Sequence, residues 1–181
     1  MKQLSFLSIA LVLFSCNTAT NKETDTMVKG DSSTTPSAPV SYAYKVNYSS
    51  DFEIGDAKYA QTVLQLWKDF DNNTFDNQRD IFADSVTAVF YNGNVFKGTR
   101  DSLISMVKEH RTALGTSTSS VDVITTLKPK GKEETWVCVW GTEVDSNKGK
   151  TDSIYLNENW MFDKNGKVAY MTQFAQQPEK K

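Results

Sequence analysis

Trp160-Met161-Phe162-Asp163-Lys164-Asn165-Gly166-Lys167-Val168 is the stretch on which the fold turns. An apolar segment runs into Asp-Lys-Asn-Gly and out again, the pattern of a strand, a tight turn and a returning strand. The first strand extends back to Asp152 and the second forward to Ala175. Two more strand-like segments, Ser119 to Leu127 and Glu134 to Val144, come before them. The C-terminal half therefore reads as an antiparallel meander.

Upstream the period changes. Asp56 is placed to cap a helix in which Tyr59, Ala60, Val63, Leu66, Trp67 and Phe70 recur at helical spacing, ending near Asn72-Asn73. A short second helix runs from Phe75 to about Phe82. Ser85 to Tyr91, the turn Asn92-Gly93 and Asn94 to Lys97 read as a hairpin. Thr99 then caps a third helix, with Leu103, Met106, Val107, His110 and Leu114 on one face and Gly115 at its end. The class is α+β, with three N-terminal helices packed on a curved antiparallel sheet.

This order of elements resembles the NTF2-like superfamily, the cone fold of SnoaL-like proteins, ketosteroid isomerase and scytalone dehydratase. Phe82-Ala83-Asp84-Ser85-Val86 resembles the superfamily's aromatic-Ala-Asp-Asp-Ala lead into the first strand. Asn92-Gly93 with Gly98-Thr99 resembles the lead into its third helix, and Trp160 to Val168 its final hairpin. The likeness spans about Asp56 to Ala175. It implies a cone-shaped pocket and frequent pairing of two copies through the outer sheet face, and it leaves function open, because the fold carries enzymes and non-enzymes alike.

The N-terminus predicts location. Lys2 is followed by an apolar run from Leu4 to Phe14 that is too short to cross a bilayer, which takes about 20 residues. Leu13-Phe14-Ser15-Cys16 resembles a bacterial lipobox, which implies a signal peptide at 1–15 and lipid attachment at Cys16. Asn17 in the next position implies, by the same analogy, the outer membrane of a Gram-negative envelope. Residues 16–50, rich in Thr, Ser, Asn and Lys, read as the lipidated cysteine and a flexible linker. Within them Tyr42, Tyr44, Val46 and Tyr48 alternate, as a strand on the domain edge would or as side chains lying against it. The domain is 51–177 and a tail is 178–181.

Composition narrows the chemistry. With 20 Lys and Arg against 22 Asp and Glu there is no basic block for nucleic acid. One His and two Cys exclude two-histidine and cysteine-based metal motifs. No glycine-rich phosphate loop or nucleophile elbow is present, so no cofactor is expected.

The remaining candidates lie on the predicted sheet and helices. On Asp152 to Phe162 one face carries Ile154, Leu156, Glu158, Trp160 and Phe162, so Glu158 is the single acid on an apolar stripe. Either it stands in the cone, where desolvation raises its pKa, or it lies at the rim or beside a lysine. Counted back from the final hairpin, it falls where ketosteroid isomerase keeps the protonated Asp of its oxyanion hole. That enzyme's base and tyrosine map near Phe90 or Tyr91 and near Leu66, so isomerase chemistry is not implied. Histidine ordinarily exchanges protons near neutral pH, and His110 is either a base aimed into the cone or a packed or rim residue. Tyr91 is a further candidate, while Asp84 and Asp122 read as a strand-start and a solvent-facing acid.

Trp67, Phe90, Trp140, Trp160 and Gln173 are the expected pocket lining, with Trp140 and Cys138 equally readable as core. Three functions are open: a membrane-anchored protein binding a small apolar or amphipathic molecule, a proton-transfer enzyme using Glu158 with His110 or Tyr91, and a non-catalytic envelope interaction protein.

Overall fold

The computed structural model describes residues 41–177. Cys16, the expected signal peptide at 1–15 and most of the expected linker, together with the expected tail 178–181, lie outside them. Among the described residues no helix is long and apolar enough to cross a membrane.

The elements run β1 (Phe52–Ile54), α1 (Ala57–Asp71), a 3-10 helix (Phe75–Ile81), β2 (Phe82–Val89), β3 (Val95–Thr99), α2 (Arg100–Leu114), β4 (Thr116–Pro129), β5 (Thr135–Asn147), β6 (Lys150–Phe162) and β7 (Val168–Gln176). Both long helices start at the caps read from the sequence. Asp56 accepts from the Lys58 amide at 2.9 Å and Thr99 from the Ser102 amide at 3.3 Å. The turn after β6 closes because Asp163 Oδ1 accepts from the amides of Asn165 and Lys167, with Gly166 at φ +71.

The sheet has seven strands in the order β1-β4-β5-β6-β7-β2-β3. It is mixed, which corrects the expectation of an antiparallel sheet: β2 pairs with β7 in parallel, Phe82 opposite Val168 and Val89 opposite Thr172. The reason is where the chain arrives. The 3-10 helix ends beside the start of β7, with Lys167 Nζ donating to the Asp80 carbonyl, so both strands leave from the same end.

Of the two readings of Tyr42 to Tyr48, a strand on the edge or side chains lying against it, the first is not found and Tyr48 takes the second. Phe52–Ile54 pairs with β4, whereas Tyr42 and Tyr44 are exposed. Tyr48 docks through its side chain instead, donating to Glu134 Oε1 and accepting from Trp136 Nε1, both at 2.7 Å.

The core lies between the helices and the concave face of the sheet. Val63, Leu66 and Trp67 of α1 and Leu103 and Ile104 of α2 pack with Val137, Val139, Trp160, Phe162 and Val168. Arg111, only 4% exposed, ties the helices together. Its guanidinium donates to the carbonyls of Phe70 and Asp71 at the end of α1 and to Gly115 after α2, at 2.6 to 2.7 Å. These oxygens have no intrahelical partner, and a cation there also complements the helix dipole.

Sheet curvature brings one backbone very close to α1. A side chain at Gly141 would run into the Ser120 carbonyl oxygen and stand 2.9 Å from Trp67 Cζ3. Beside it, register on β4 shifts between Val121 and Val123. This bulge leaves Asp122 exposed, and its extra residue reverses the alternation of β4 on either side of it. Gly141→Ala is expected to destabilise the fold by about 1–3 kcal/mol through overpacking, read as a lower urea midpoint at unchanged slope.

Candidate functional site

The concave face and the helices enclose a cavity of about 380 Å³. Its apolar wall is built from Leu66, Trp67 and Phe70 of α1, Phe75 of the 3-10 helix, Phe90 after β2, and Met106 and Val107 of α2. The sheet contributes Leu156 and Trp160 of β6 and Met171 of β7. Exposed Tyr91, His110 and Asp152 mark its open end.

Glu158 is 5% exposed in this lining. The strand parity that put it on an apolar stripe holds, and neither rim placement nor a lysine partner is found. Trp67 Nε1 donates to its Oε2 at 2.7 Å and Trp160 Nε1 to the same oxygen at 3.0 Å, while Gln173 Nε2 donates to Oε1 at 2.8 Å. Burial pushes its pKa up, and the bonds from Gln173, Trp67 and Trp160 oppose that rise. Register explains the cluster: Glu158 stands opposite Gln173 on β7 and opposite Val139 on β5, with α1 delivering Trp67 from above.

Trp67, Phe90, Trp160 and Gln173 thus line one cavity with Glu158, His110 and Tyr91. The bonds to Glu158 come from the two indoles and the amide, with none from His110 or Tyr91. Trp140 is corrected. It lies on the outer face of β5 and is 42% exposed, because residues 137, 139 and 141 take the inward positions. Cys138 shares that outer face half-buried, so it is not a core residue, and burial raises its pKa. Asn159 lies on the outward side with Thr172. Asp84 is exposed and pairs with Arg100.

Glu143 and Asp145 were not singled out from the sequence. Both line the cavity. The signal was present, since they continue the inward alternation of Val137, Val139 and Gly141; Glu143 lay within the expected strand, while Asp145 fell beyond its expected end at Val144, and β5 extends to Asn147. Burial first, and then the charges of Asp145, Glu158 and Asp71, push Glu143 up to about 8. Asp71 itself is held by the Ser119 amide at 3.0 Å and hydroxyl at 2.8 Å. Among the described residues no group of three or more His, Cys, Asp or Glu is placed to hold a metal ion.

No family model and no curated protein matches the chain. Solved structures do. An NTF2-like protein from Anabaena variabilis aligns with TM-score 0.55 at 11% identity, covering 67% of this chain and 89% of its own. An LEH-like epoxide hydrolase of M. tuberculosis aligns with TM-score 0.53 at 11% identity, covering 66% and 84%. An NTF2-like protein of unknown function from Burkholderia xenovorans aligns with TM-score 0.50 at 21% identity, covering 68% and 87%. The chain has the α+β NTF2-like fold. At these identities the likeness is one of fold alone.

Glu143 gives the site a pH signature. An acid whose folded-state pKa lies above its unfolded value stabilises the fold at low pH and loses that contribution as pH rises through the folded value. Thermal stability is expected to fall between pH about 4.5 and about 8, and Glu143→Gln to flatten that slope, both read as Tm against pH.

Proposed function

We propose that the chain is a membrane-anchored, NTF2-like binding protein that takes a small amphipathic molecule into its cone. The observation that carries this reading is the cavity itself. Its volume falls in the range of small-molecule sites, its walls are mostly apolar and aromatic, and its few polar groups are concentrated on the sheet. Glu158 serves as a fixed polar floor, because three N–H donors hold its two oxygens in place.

A proton-transfer role has less support. It rests on the raised pKa of Glu158 and on a fold shared with an epoxide-hydrolase-like neighbour, while neither His110 nor Tyr91 bonds the carboxylate. A purely structural role accounts for the exposed outer face but not for the cavity.

Binding is read with the indoles of Trp67 and Trp160 as reporters, titrating the full chain with eight-carbon amphiphiles of different head group. At least one is expected to change the emission saturably, and Val107→Trp, which places bulk in the cavity, to weaken that binding at least about tenfold. If none binds, the reading fails.

Anchoring rests on Leu13 to Cys16, and pairing of two copies on Val123, Trp140, Tyr155 and Phe174, which expose apolar surface on the outer sheet face. Cys16→Ser is expected to abolish labelling by radioactive palmitate and release the protein from membranes. Trp140→Glu is expected to halve the mass measured by light scattering. Unchanged labelling or mass rejects the corresponding part.

A further inference from the structure

The cavity is one-sided in charge. Glu143, Asp145, Asp152 and Glu158 all line it, and among the described residues no lysine or arginine does. The ion pairs of the described residues lie elsewhere: Arg100 is taken by Asp84, Arg79 by Asp101 and Lys108 by Asp76. A carboxylate in a partly desolvated site is stable only with a counter-charge or hydrogen-bond donors. Glu158 has its donors. Near the open end one acid oxygen does not, for Asp145 Oδ1 is fully buried and has no hydrogen-bond partner. Ser117 Oγ, on the residue opposite Asp145 in the β4–β5 register, is in the same condition, and Ser117 is only 6% exposed.

Geometry separates these acids from the level of Glu158. On β6 the neighbours of Glu143 and Asp145 are Ile154 and Asp152, four and six residues before Glu158. Four residues of strand span about 13 Å. Leu156 lies between the two levels, and the indoles of Trp67 and Trp160 close the far end. The cavity therefore has acids toward its mouth and, beyond Leu156, hydrocarbon and indole around a Glu158 carboxyl whose oxygens are already engaged.

We propose that this cavity selects an organic cation, a protonated primary amine on a hydrocarbon body, with the ammonium seated between Glu143 and Asp145 and the hydrocarbon lying along Leu156 toward Trp67 and Trp160. The proposal rests on the reading that the cone binds a small amphipathic molecule, and it names that molecule's chemistry. A primary ammonium has three N–H donors and no acceptor. That matches the buried Asp145 oxygen that lacks a partner, with the Glu143 carboxyl beside it in the same cavity lining. A carboxylate ligand would add charge to an already acidic site, and a neutral alcohol would leave the acids uncompensated. With no metal-binding cluster among the described residues, the counter-charge is better supplied by the ligand.

The titration of Glu143 agrees. Asp145 beside it, Glu158 on β6 and Asp71 on α1 all hold its proton on, and His110 on α2 and Tyr91 after β2 face the same space. An ammonium takes over the role of that proton in offsetting the neighbouring charge.

The test compares octylammonium, octanol and octanoate on the full chain by calorimetry at neutral pH and low salt. Octylammonium is expected to bind at least about tenfold more tightly than octanol, with octanoate weakest. Replacing Glu143 by Gln and Asp145 by Asn together is expected to bring octylammonium and octanol to within about twofold of each other, with octanol affinity kept. The ranking on the unaltered chain decides the matter even if the double variant fails to fold. Octanol or octanoate binding as tightly as octylammonium overturns the cation inference and leaves the cavity reading standing. Binding of none of the three overturns both.

Discussion

The bond from the Trp67 indole to the Glu158 carboxylate holds the two layers of this fold in register. Each partner is costly to bury alone. An indole N–H without an acceptor loses its hydrogen bond to water, and a carboxylate without donors loses far more. Placed 2.7 Å apart they satisfy each other, and Trp160 and Gln173 complete the carboxylate's shell from the sheet. The depth of α1 over the sheet is fixed by this contact, and Gly141 is required beneath it because a side chain there would meet the same indole. The cavity is the space left between helices held at that height and a sheet that curves away from them.

The same arrangement divides the polar groups of the cone into two kinds. Glu158 is satisfied and positional, since both its oxygens are engaged. Glu143 and Asp145 face each other's charge, and their environment is answered only in part from within the chain. Where a fold buries acids, completing their hydrogen bonds is the ordinary solution. The contrast within one cavity is between an inner carboxyl with its donors in place and outer acids with an oxygen left unpartnered. Arg111, the one buried guanidinium, is committed to the helix ends and stays out of this space.

Much of this was legible in the residues. The caps at Asp56 and Thr99, the Asp163 to Gly166 turn and the inward stripe from Ile154 to Phe162 are local matters, governed by hydrogen bonds within four residues or by strict alternation. Glu158 could be singled out for that reason. The parallel pairing of β2 with β7 could not, because it depends on where the 3-10 helix delivers the chain. Nor could the bulge at Val121 to Val123, which changes the facing of every residue before it on β4. Asp145 was overlooked through a strand boundary three residues too early, Glu143 because the inward alternation was followed only as far as Gly141, and Trp140 was misplaced because both faces of β5 are apolar at its centre.

The sequence by itself determined the α+β order, the capped helices, the hairpin turns and the presence of one acid on an apolar strand face. Short-range chemistry specifies these, and each is complete within a dozen residues. Tertiary structure alone decided that Trp67, Trp160 and Gln173 converge on that acid and that two more carboxylates share its cavity. It also decided that Trp140 faces outward. Those outcomes come from strands and helices far apart in the chain meeting across a curved sheet, where register and curvature, rather than any local preference, choose which side chains become neighbours.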